Sequence, residues 1–200
     1  INLVWNESIK RQWVSQHQAI AHQDTSFSMW NFLTTQISDI AQEWAQSYES
    51  ICRATTIDKT QSEVLFEQRM SCLENNKKEL SAVIQIAADE KVSFDTLREG
   101  IESLPRPRSC LANQLHLTFK RVPHRENDAA LNNTLTQAKA YFRLGQFQKA
   151  ELVLKPFIEW VKEQPLHPMD AEVLFYFGLI QYNTLKNKRG ISYFIRALEI

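Results

Sequence analysis

Glycine is scarce in this chain: Gly100, Gly145, Gly178 and Gly190 are the only four in 200 residues. No glycine-rich loop is left to cradle a phosphate, which excludes nucleotide chemistry. The three cysteines, Cys52, Cys72 and Cys110, lack the CxxC spacing of zinc and redox motifs. Net charge is also missing, because 23 basic residues balance 23 acidic ones. No long-range field therefore draws the chain toward nucleic acid or an anionic membrane, and a partner must be selected by shape and local chemistry. No apolar run is long enough to span a bilayer and nothing at the start resembles a signal peptide. Membrane attachment would come only through segments outside these residues. The chain opens at Ile1 without a methionine and stops at Ile200 inside a helical pattern, so a piece of a longer protein is expected.

Catalytic and metal signals are equally thin. His17, His22, His116, His124 and His167 form no i, i+4 pair and have no adjacent cysteine, and no GxSxG elbow surrounds a serine. No catalytic residue, metal ligand or cofactor is assigned, and the chain is expected not to be an enzyme.

What is present is 44% apolar residues, enough for a substantial core, arranged with helical periodicity. Between residues 2 and 22, Val4 or Trp5, Ile9, Trp13 and Ile20 share one stripe. Asp24, Thr25 and Ser26 offer caps for a second helix, in which Trp30, Leu33, Ile37, Ile40, Trp44, Tyr48 and Ile51 recur at spacings of three and four. Thr60 and Glu63 fit a capping box before a third helix with Leu65, Leu73, Leu80, Ile84 and Ala87 on one face. Arg69 interrupts that stripe and calls for a carboxylate partner. A fourth helix runs from Val92 to Leu104 and stops at Pro105 and Pro107. Residues 1–104 thus read as an antiparallel four-helix domain.

Residues 105–128 break the pattern and read as a crossing linker, with Leu115, Leu117 and Phe119 alternating as in an extended segment. Arg106, Arg108, Lys120, Arg121, His124 and Arg125 form a basic cluster in it. Given the neutral whole, a solvated linker explains them better than a phosphate site does.

Residues 129–200 resemble two tetratricopeptide repeats, a helix-turn-helix unit in which small residues let the helices approach and large ones fill the gaps. With Ala171 as position one, Leu174, Phe177, Gly178, Gly190, Phe194, Ala197 and Leu198 follow the family's large and small pattern. With Leu131 as position one, Ala138, Tyr141, Gly145, Phe147 and Ala150 match, whereas Thr134 and Phe157 depart and Pro156 interrupts the second helix. The period is about 40 residues rather than the family's 34. The fold class this implies is all-α, with antiparallel helical hairpins stacking into a short α-solenoid. In such repeats the first helices line a groove for extended peptides or partner helices. That register assigns partner binding to Asn132, Leu135, Lys139, Phe142 and Arg143, and to Glu172, Phe175, Leu179, Tyr182 and Asn183. Packing against the preceding module is the competing explanation for Phe142, Phe175 and Leu179.

A second resemblance spans nearly the whole chain. Trp44 and Cys52, then Gln61 and Ser62, then Arg69, Cys72 and Leu73, and finally Leu104, Pro105 and Cys110 look like a segment of bacterial transmembrane serine/threonine protein kinases. In that family the segment lies between the membrane helix and tetratricopeptide repeats. The resemblance implies a non-catalytic, extracytoplasmic (periplasmic) sensor or interaction region whose partner is a protein or peptide, with a homodimer also open. The alternative is a cytoplasmic tetratricopeptide adaptor. The extracytoplasmic topology would let a disulfide persist. Helical rise places Cys52 and Cys72 at different levels of their hairpin, while the chain after Pro105 can return toward either. Cys52 with Cys110 is the first expectation, Cys72 with Cys110 the second, and three reduced, buried thiols the plain alternative.

Overall fold

The computed structural model describes residues 4–18, 25–89, 92–112, 125, 128–163, 167–184 and 187–199. Among them every regular element is a helix, so the protein is all-α. The helices form two compact units, Ile1–Phe119 and Lys120–Ile200.

The first unit opens with α1 (Glu7–Gln18). Asn6 starts it, its side-chain oxygen accepting from the backbone N–H groups of Ser8 and Ile9. Helix α2 (Thr25–Thr56) follows, and the stripe its spacing predicts is buried at Trp30, Leu33, Ile37, Ile40, Trp44 and Ile51. Tyr48, the remaining member, is exposed and stacks on Trp44. The segment carrying α1 runs antiparallel to α2. Trp5 Nε1 donates to Ser38 Oγ at 3.0 Å, and Trp13 meets the ring of Trp30 edge to face at 5.3 Å. Perpendicular rings of this kind are favoured by their quadrupoles. The series continues from Trp30 to Phe94 of α4 (Phe94–Glu102).

Helix α3 (Glu63–Asp89) begins at a different cap from the one its sequence predicts. Ser62 Oγ accepts from Leu65 N–H, while the Thr60 hydroxyl donates backward to the Ala54 carbonyl. The chain is still turning at Thr60, whose own N–H also bonds to Ala54, so helical geometry starts two residues later. The return along α2 is fixed by Trp44 Nε1 donating to the Leu73 carbonyl at 2.7 Å and by Gln61 donating to the Ile51 carbonyl.

Residues 105–111, expected to open a linker, belong instead to this unit. Pro107–Leu111 form a 3-10 helix that packs on α2 and α3 with Pro107 and Cys110 buried. Arg108 N–H donates to the Glu43 carboxylate at 2.9 Å, and Arg69 donates to the Leu111 carbonyl and to Gln61. Cys110 is bonded to Cys72, with 5.7 Å between their Cα atoms. The first-expected pair, Cys52 with Cys110, does not form, and Cys52 is a free thiol. The two anchors stop the chain beside Glu43 and Arg69. Cys52 lies nine residues beyond Glu43, about two and a half helical turns, which puts it on the opposite side of α2. Extended reach alone could not reveal that stop. The alternating stretch Leu115, Leu117 and Phe119, together with His22, His116, Lys120, Arg121 and His124, lies outside the described residues.

The second unit contains α5 (Asp128–Arg143), α6 (Phe147–Glu163), α7 (Pro168–Asn183) and α8 (Asn187–Leu198). Two antiparallel hairpins, α5–α6 and α7–α8, stack because α7 packs on both α5 and α6. This is an α-solenoid-like arrangement. Gly145 ends α5 at φ 67°, and Gln146 N–H reaches back to the Tyr141 carbonyl, a left-handed helix stop that suits glycine. Leu131, Leu135, Leu154 and Ile158 of the first hairpin are covered by Val173, Leu174, Phe177 and Ile180 of α7. Helices α7 and α8 cross at Gly178 and Gly190, where a Cβ on Gly190 would stand 2.9 Å from the Gly178 carbonyl oxygen. The corresponding positions in the first hairpin, Ala138 and Ala150, are fully buried.

Candidate functional site

The ten residues expected to line a groove divide between the two hairpins. On α5, Leu135 is 1% exposed and Lys139 is buried, so neither faces solvent. The reason is α7, which lies over them. Lys139 Nζ pairs with the Glu172 carboxylate and sits 5.0 Å from the ring centroid of Tyr176. Phe142 packs between Phe147 and Tyr176. Asn132 and Arg143 are partly exposed, which leaves α5 without a continuous open surface.

On α7 the expected residues are open. Phe175 is 46% and Tyr182 is 54% exposed, Leu179 is half-buried beside them, and exposed Asn183 donates to the Leu179 carbonyl. Phe175, Leu179 and Tyr182 recur at spacings of four and three, so they form one stripe on the helix. The stripe continues onto α8 across a groove of about 510 Å3, whose walls include Phe175, Leu179, Phe194 and Leu198. Next to it Ile191, Ile195 and Leu198 are also exposed, Leu198 at 88%. Among the described residues Glu172 is the one charged side chain in the wall, and Lys139 already holds it.

Phe194, Leu198, Ile191 and Ile195 were not assigned to the site from the sequence. A signal was available. On a helix, Ile191, Ile195 and Leu198 fall on a face distinct from Gly190 and Ala197, so α8 is apolar on two sides although its partner α7 needs one.

No protein-family model, no curated protein and no solved structure matches this chain. Among the described residues no group of three or more His, Cys, Asp or Glu side chains could hold a metal ion, and no described helix is long and apolar enough to cross a membrane.

Other electrostatic features involve residues that do not line this groove. Arg125, expected in a basic cluster, is used inside the second unit, where it donates to Asp128 and Asp170 and lies 4.7 Å from the ring centroid of Trp160. Burial works against its charge, but the hydrogen bonds and charges of Asp170 and Asp128 outweigh that effect and push its pKa up. His167 caps α7 by accepting from Met169 N–H through Nδ1. In the first unit, the hydrogen bond with Cys52 raises the Tyr48 pKa above its ordinary value, and the charge of Glu74 adds to it.

Proposed function

We propose that this chain is a non-catalytic, protein-binding region of tetratricopeptide-like hairpins that forms the extracytoplasmic part of a bacterial serine/threonine protein kinase. Its contact surface is the apolar face of α7 and α8. The kinase assignment rests on the resemblance carried by Trp44, Cys52, Arg69, Cys72 and Cys110, and the observation that carries the protein-binding part is the contrast between equivalent positions of the two hairpins. Leu135 and Ile158 are 1% exposed, whereas Phe175 and Leu198, in the same places of the next hairpin, are 46% and 88% exposed. A contiguous apolar face of this kind is at the upper end of what a monomer exposes, and such faces often mark interaction sites.

Other features support the reading. The small residues at the α7–α8 crossing and at Ala138 and Ala150 suit the tetratricopeptide pattern. The Cys72–Cys110 bond suits an oxidising compartment. A partner on the α7–α8 face would act by preferring one packing state of the helical array and so biasing the pairing of attached kinase domains. The free thiol of Cys52 favours a second reading, a cytoplasmic tetratricopeptide adaptor that assembles proteins.

The test is a photoreactive phenylalanine analogue placed at Tyr182 in the full-length protein in its own cells, with the same group at exposed Glu159 of α6 as control. A discrete adduct from position 182 alone is expected. No adduct, or equal adducts from both positions, would contradict the proposal.

A further inference from the structure

We infer that the α7–α8 face docks a second copy of this chain, α7 and α8 of one copy packing on α7 and α8 of the other about a two-fold axis. The inference rests on the reading of this face as a protein-binding surface and specifies the partner.

The first argument comes from the register that relates the two hairpins. In the first hairpin the counterparts of Ile191 and Ile195 are Glu151 and Lys155, which stay partly or fully exposed although α7 fills the groove beside them. A single helix seated on α7–α8 as α7 sits on α5–α6 would therefore leave Ile191 and Ile195 uncovered. An occupant that buries them must reach farther across α8, which takes a pair of helices. The chain itself presents such a pair.

The second argument is area. The exposures of Phe175, Tyr182, Ile191, Ile195 and Leu198 amount together to about three whole side chains. At about 200 Å2 each, complete burial would remove at most roughly 600 Å2 per copy, or roughly 1,200 Å2 for two, the lower end of specific protein interfaces.

The third argument is self-complementarity. A two-fold interface sets each patch against itself, so a charge on it tends to meet its own kind. Here Glu172, the only charged groove residue among the described ones, is paired within its own chain with Lys139. Within the described groove, two copies can then close apolar surface on apolar surface without leaving Glu172 unpaired.

Sedimentation equilibrium of the purified chain at roughly 100 µM, a concentration suited to an interface of modest area, tests the inference. The unsubstituted chain is expected to be a dimer. Leu198→Glu and Ile195→Glu, each at an exposed position, are expected to be monomers with unchanged helical circular dichroism. Leu152→Glu, on the exposed side of α6, is expected to remain dimeric. A monomeric unsubstituted chain, or a dimer insensitive to both α8 substitutions, would overturn the inference, as would equal disruption by Leu152→Glu. The photo-adduct at Tyr182 separates the two levels. An adduct of twice the protein's mass supports the second copy. An adduct with a different protein overturns the second copy alone, and no adduct overturns the binding reading as well.

Discussion

Arg125 and Asp170, separated by 45 residues in sequence, meet through two parallel hydrogen bonds of 2.9 and 2.7 Å. Asp170 lies in the first turn of α7 and its side chain is 1% exposed, so the guanidinium is the cation that compensates it. Asp128, at the start of α5, accepts from the same guanidinium. The arginine thereby joins the beginnings of the two stacked hairpins. Arg125→Ala leaves two buried carboxylates without that cation and should cost the second unit about 3–5 kcal/mol. Trp160 is the one tryptophan of that unit and carries the arginine against its ring, so its fluorescence during urea unfolding reports the loss. A change under about 1 kcal/mol, the size of an exposed ion pair, would refute this role.

The crossing of α7 and α8 makes a graded prediction. Gly190→Ala sets a methyl group against backbone on both sides, 2.9 Å from the Gly178 carbonyl oxygen and 3.1 Å from the Tyr182 nitrogen. Gly178→Ala meets chiefly the Phe194 ring, which is only partly buried and can turn aside. Alanine gains about 1 kcal/mol of helix propensity over glycine. Overpacking costs about 1–3 kcal/mol, so Gly190→Ala should be net destabilising and Gly178→Ala nearly neutral. Thermal melts of the two variants should rank in that order, and the reverse order would show that the helices are not held at this distance.

The Cys72–Cys110 bond closes 38 residues and anchors the 3-10 helix across α2 and α3. By the loop-entropy relation its reduction should cost the first unit about 4 kcal/mol. Denaturant unfolding with and without reductant measures this. Trp44, packed beside Cys110 and Leu73, serves as the local probe. An unchanged midpoint would show that packing alone holds Pro107–Leu111 in place.

Tyr48 gives a pH prediction. Its hydrogen bond with Cys52 raises its pKa, so the folded chain keeps the phenolic proton to a higher pH than the unfolded chain does. Stability should therefore fall as pH rises through the ordinary tyrosine range, because the unfolded state loses its proton first. Cys52→Ala should bring the Tyr48 titration back toward the ordinary value and flatten that part of the profile. Phenolate absorbance followed against pH checks it, and an unmoved titration would exclude the cysteine as the cause.

The features that were legible in the sequence are those set by neighbours a few residues apart. The stripe from Trp30 to Ile51 follows the helical period, and four of its six intervals join two buried residues, the exceptions being the two that meet at exposed Tyr48. The glycine pair at 178 and 190 was legible because close helix contact demands small residues wherever it occurs. What escaped depends on where distant segments stop. The choice of Cys72 over Cys52 turns on the contacts from Arg108 to Glu43 and from Arg69 to Leu111. Leu135 and Lys139 keep groove-like positions in the register, yet α7 covers them, whereas their counterparts Phe175 and Leu179 remain accessible. Arg125 stood among basic residues in sequence while its true partners lay on α5 and α7.

The receptor reading depends most directly on the redox state of the cysteines. Alkylating the protein in intact cells before lysis, then sequencing unreduced peptides by mass spectrometry, reads that state without rearrangement. The expected result is one linked peptide joining Cys72 to Cys110, with Cys52 alkylated. Three alkylated cysteines would contradict the extracytoplasmic assignment and move the protein to the adaptor reading.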